Sequence, residues 1–184
     1  MPHKNQSSFD LLKILNIVLI VFSLSICLVL MLFKIPGLEL LGISPNWLLI
    51  WLIAWSIKKS VWQGAIAGLI IGWLYDAVVL STPSHAFSFI LVGVCTARLQ
   101  KQKYTGEDFI SIAFIVFFMT ILSETIFALQ YLRMHWLSIS EVLPKYQQTA
   151  IISGIINSLW SPIFYYPFSY WQHKIKQWEK KALK

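Results

Sequence analysis

The sequence predicts an all-α membrane protein: one domain, residues 1–184, built as a bundle of six transmembrane helices with both termini in the cytoplasm. Three observations carry that expectation. Of the 184 residues, 57% are hydrophobic and only 12% are charged, about half the ~25% charged share of a soluble domain. The apolar residues fall into six runs separated by short polar segments. The basic residues alternate from one side of those runs to the other, as the positive-inside rule requires. With mean hydropathy at +0.66, too little polar surface is left to cover a soluble sphere. A soluble enzyme, a nucleic-acid-binding module and a disordered chain are all poor fits.

The first run, residues 14–33, holds 20 residues, enough to cross a hydrocarbon core about 30 Å thick. A signal peptide has a shorter apolar region and a small-residue cleavage site. Here Lys34-Ile35-Pro36 follows instead, so the run reads as a retained helix. The second span, 45–57, starts at Ser44-Pro45-Asn46, where proline suits a helix start, and stops at Lys58-Lys59. It is short, and its apolar approach 38–43 is expected to help it reach across. The third span is 61–80, closed by Ser81-Thr82-Pro83, and the fourth is 85–99. The fifth, 109–132, is the longest and carries Glu124; a loop follows it from about Arg133 to Gln148. The sixth, 149–170, contains Pro162 and Pro167, where a kink is expected because neighbours in a membrane can re-satisfy freed carbonyls.

With the N-terminus inside, the inner segments hold twelve of the fifteen basic residues, and the outer ones only Lys34, Arg133 and Lys145. Deleting any span would scramble this alternation. The basic tail, 171–184, is helix-compatible, with Trp171, Ile175 and Trp178 on one face. It lies against anionic membrane lipid, worth about 1 kcal/mol per basic residue, or docks on a cytoplasmic protein. The net charge of +7 is thereby explained without nucleic acid.

Gly64, Gly68, Gly72 and Asp76 recur every four residues, about 400° per step, and so stay near one helix face. Such a small-residue face lets another backbone approach closely, either a helix of the same bundle or the transmembrane helix of a partner. Asp76 costs about 2.5–3.5 kcal/mol at mid-membrane, less near the outer end where it lies. Glu124 and Asn157 fall at comparable depth on two other spans. The expectation is a polar intramembrane ring of Asp76, Glu124 and Asn157, facing one another or a wet pocket open to the outside. It would serve helix–helix hydrogen bonding, partner recognition, or ligand handling. His85 reads as an interfacial loop residue, and Trp47, Trp51 and Trp55 as an aromatic ridge against lipid, a neighbouring helix or a partner. Cys27 and Cys95 sit in apolar runs as small hydrophobes. No catalytic set, metal site, cofactor or phosphate-binding loop is expected.

Three segments together resemble the MreD family, bacterial rod shape-determining membrane proteins. Pro45-Asn46-Trp47-Leu48-Leu49 is similar to the family's Pro-Asp-Trp start of the second helix, with Asn for Asp. The Gly64, Gly68, Gly72, Asp76 series with Ser81-Thr82-Pro83 resembles its glycine-rich helix and loop, with Ser84-His85 where a glycine is common. Asn157-Ser158-Leu159-Trp160-Ser161-Pro162, followed by the basic tail, resembles its last helix. The resemblance implies a multi-pass subunit of the cell-elongation machinery in the inner (cytoplasmic) membrane. Such a subunit binds the single-span periplasmic protein MreC and indirectly serves MreB, RodA and a class B penicillin-binding transpeptidase in peptidoglycan synthesis. It also implies a fold similar to the six-helix substrate-binding subunits of energy-coupling-factor transporters. Asp76, the three glycines, Asn157 and Pro162 carry over as packing and partner-contact residues. The expected function is therefore a non-enzymatic scaffold. The alternative is a vitamin-type transporter subunit, which the lack of a small-residue face on the first span disfavours.

Overall fold

The computed structural model describes residues 3–33, 37–99, 109–135 and 139–182. Lys34, Lys101, Lys103 and Lys184, which enter the expected charge alternation, lie outside the described residues. Six helices are present among the described residues: α1 (His3–Leu32), α2 (Trp47–Ser56), α3 (Val61–Val79), α4 (Ala86–Leu99), α5 (Phe109–His135) and α6 (Ile139–Ala182). No strand occurs among them; the sole β-like feature is a bridge between Leu40 and Ile43.

The helix α2 stands at the centre and touches all five others. Its sequence is apolar on every side, and a helix of that kind must be enclosed; every residue except Trp55 is buried. Ten residues make only about 15 Å of helix, half a bilayer core. The approach expected to lengthen it does not add helix: residues 40–43 turn back on themselves, with Gly42 at φ 78°. Asn46 starts α2, its side chain accepting from Leu49 N–H at 3.0 Å.

The helix α1, apolar from Leu11 to Leu32, lies at the edge. Leu11, Ile14, Ile17 and Phe22 are each at least 60% exposed, which only a lipid environment makes favourable. Among the described residues three stretches are long and apolar enough to cross a membrane, Leu11–Leu32, Val61–Val79 and Phe109–Met134, and α2 and α4 are shorter apolar helices. This is a membrane protein. Adjacent helices form two hairpins, α3 with α4 and α5 with α6. A Ser60–Gln63 capping box starts α3.

The sixth helix departs from expectation. It begins at Ile139, inside the segment expected to be a loop, and runs 44 residues to Ala182 through Pro144, Pro162 and Pro167. Hydropathy marks where a helix leaves the membrane, not where its backbone ladder ends, and neighbouring groups can re-satisfy the carbonyls that proline frees. Pro162 removes the N–H that Ser158 C=O would accept. The Ser161 hydroxyl donates to that carbonyl instead, at 2.8 Å.

Candidate functional site

The glycine series of α3 packs against α4 of the same chain. A Cβ on Gly64 would fall against the backbone of Gly93, with the carbonyl carbon at 2.9 Å; on Gly68 it would strike the backbone of Phe89 and Ile90, at 2.6 and 2.8 Å; on Gly72 it would meet Ala86 N at 2.9 Å. The reverse holds at Gly93 against Gly64. Two backbones therefore touch, and only glycine allows it. The face is filled by α4, so the reading that it seats a partner's helix gives way to packing within the bundle. Gly93 was missed in the sequence; its signal was a lone glycine mid-run in the fourth span.

Asp76, at the end of this ladder, ties the α3–α4 hairpin shut. Leu80 closes α3 in the left-handed conformation, its N–H reaching Asp76 C=O at 2.8 Å. The chain then turns through residues 81–85 and returns to the Asp76 carboxylate. His85 N–H donates to both oxygens at 2.9 and 3.0 Å, the Ser84 hydroxyl to Oδ2 at 2.5 Å, and His85 Nδ1 lies 2.8 Å from Oδ1. His85 immediately precedes α4, so a carboxylate from the neighbouring helix caps an N-terminus whose free N–H groups and dipole favour negative charge. That answers the cost of an acid near the membrane. The departure Ser84-His85 supplies the donors.

His85 is not a loose loop side chain. Its ring stacks on Phe127 at 4.0 Å, with Tyr75 at 4.5 Å. Asp, His and Ser thus lie together, but Ser81 Oγ and Asp76 Oδ1 both address Nδ1, at 3.0 and 2.8 Å. A hydrolytic relay needs the hydroxyl and the carboxylate on opposite ring nitrogens, so this set fastens a turn.

Asn157 on α6 is fully buried and works with different partners. Its Oδ1 accepts from the backbone N–H of Asn46 at 2.8 Å, and its Nδ2 donates to Thr120 Oγ1 on α5 at 3.2 Å. Trp47 packs edge-on against Trp160 at 5.7 Å and on Phe164 at 5.3 Å. The first and third segments singled out in the sequence are therefore one contact. The tryptophan ridge points inward here: Trp47 and Trp51 are 4% and 6% exposed, and Trp51 meets Phe168. Pro162, buried beside this contact, sits where Ser161 repairs the ladder.

Asn157 stands apart from the other two polar residues, whereas Asp76 and Glu124 both lie within electrostatic range of Tyr75. Asp76 bonds the 81–85 turn and Asn157 bonds Asn46 and Thr120. Glu124 lies within electrostatic range of Tyr75 and Tyr146. Burial first, then Tyr131 and Glu124, holds the Tyr146 phenol above its ordinary pKa. A cavity of about 200 Å³ opens near this end of the bundle, lined among others by Met31, Glu39, Asn46, Trp47 and Tyr75 and by none of Asp76, Glu124 and Asn157. Among the described residues no group of three or more His, Cys, Asp or Glu side chains could hold a metal ion.

The family described as rod shape-determining protein MreD matches residues 12–171 of this chain. No curated protein and no solved structure matches it.

Proposed function

Because this chain belongs to the MreD family of rod shape-determining proteins, we propose that it is a non-enzymatic scaffold of the cell-elongation machinery, holding the membrane helix of MreC. Its single transmembrane domain crosses the cytoplasmic membrane six times with both termini inside and a basic tail at 171–184. Through MreC it serves MreB, RodA and a class B penicillin-binding transpeptidase in peptidoglycan synthesis. The observation that carries this reading is where the polar side chains point. Asp76 and Asn157 bond neighbouring segments of their own chain, and the glycine face is filled by α4. The polar interior thus fixes the shape of the bundle, and the lipid-facing apolar faces remain for partner helices. Asp76, Gly64, Gly68, Gly72, Asn157 and Pro162 act on partners by holding that shape. The alternative, a transporter subunit that takes a vitamin-sized ligand in an outward pocket around Asp76, Glu124 and Asn157, is disfavoured: the cavity at that end holds about 200 Å³, below the ~300–1,000 Å³ of ordinary ligand sites, and none of the three residues lines it.

Affinity capture of the tagged chain from native membranes, followed by mass spectrometry, tests the proposal. MreC is expected as the main partner, with the transpeptidase and RodA behind it. Recovery of transporter ATPase subunits in its place would overturn the scaffold reading. Maleimide labelling of single cysteines at Lys58 and Lys174 is expected to place both on the cytoplasmic side.

A further inference from the structure

We draw no further inference here: the strongest candidate, the apolar groove of about 400 Å³ between α1, α2 and α6, is an unpartnered face, and nothing in the structure shows what covers it.

Discussion

The backbone N–H of Asn46 donates to Oδ1 of Asn157 at 2.8 Å, joining the start of α2 to the middle of α6 across 111 residues of sequence. A buried N–H has no alternative acceptor in hydrocarbon, and stranding one costs about 1–3 kcal/mol. Asn157→Ala is expected to destabilise the purified chain by about that amount, read as a lowered midpoint of thermal unfolding in detergent. Thr120→Val leaves the Asn46 bond in place, removing the Asn157 Nδ2 bond and the hydroxyl's own bond to Val116 C=O at 2.8 Å, a carbonyl within a helix ladder, and is expected to cost less. Equal effects from the two variants would mean that the Asn46 bond is not the dominant one.

The contact between α3 and α4 predicts a contrast among glycines. Gly68→Ala drives a methyl into the backbone of Phe89 and Ile90, so the helices must separate, at a cost of about 2 kcal/mol or more. Gly154→Ala meets side chains alone, the Phe117 ring at 2.9 Å and Ile121 at 3.6 Å, and a side chain can turn away. Its effect is expected to be under about half as large, measured in the same unfolding assay.

The carboxylate of Asp76 serves as an acceptor for α4, so the prediction separates acceptance from charge. Asp76→Asn keeps one carbonyl oxygen for His85 N–H and is expected to retain a folded hairpin, with a loss of about 1 kcal/mol. Asp76→Ala is expected to lose about 2–3 kcal/mol and to expose the amides of residues 85–88 to hydrogen exchange. Protection at those amides in Asp76→Ala equal to wild type would refute the capping role.

Ser161 and Pro162 are expected to be coupled. Ser161→Ala strands the Ser158 carbonyl that Pro162 left open and is expected to cost about 1 kcal/mol. In a Pro162→Ala background the restored backbone N–H takes over that carbonyl, and the same change is expected to cost close to nothing. A double-mutant cycle measures the difference as a coupling energy.

Hydropathy made much of this legible. The spacing of Gly64, Gly68 and Gly72 marked a close-packed face, and the three segments at 45–49, 64–83 and 157–162 marked the regions that meet the most specific contacts. What hydropathy supplies is depth, and depth carries no information about rotation around a helix axis. The sequence puts Asp76, Glu124 and Asn157 at one expected depth, yet Asn157 turns toward Asn46 and Thr120 while Asp76 turns toward the 81–85 loop. The loop donors were hidden for a related reason: serine and histidine near a proline look the same whether wet or folded back on a carboxylate. The central place of α2 was readable in principle, because a run apolar on every side has no face to give to water. The length of α6 was not, since the polar stretch around Lys145 carries no membrane signal although its residues favour helix.

The 44 residues of α6 span about 66 Å, more than twice a hydrocarbon core of about 30 Å. Such a helix is longer than any one crossing requires, and it is pinned to the bundle by Asn157 to Asn46, by Trp160 to Trp47 and by Ser169 to Lys58. It is a lever clamped at three stations. A tug on either end reaches these three stations through unbroken helix rather than through slack turns, and is handed on to α2 at each of them.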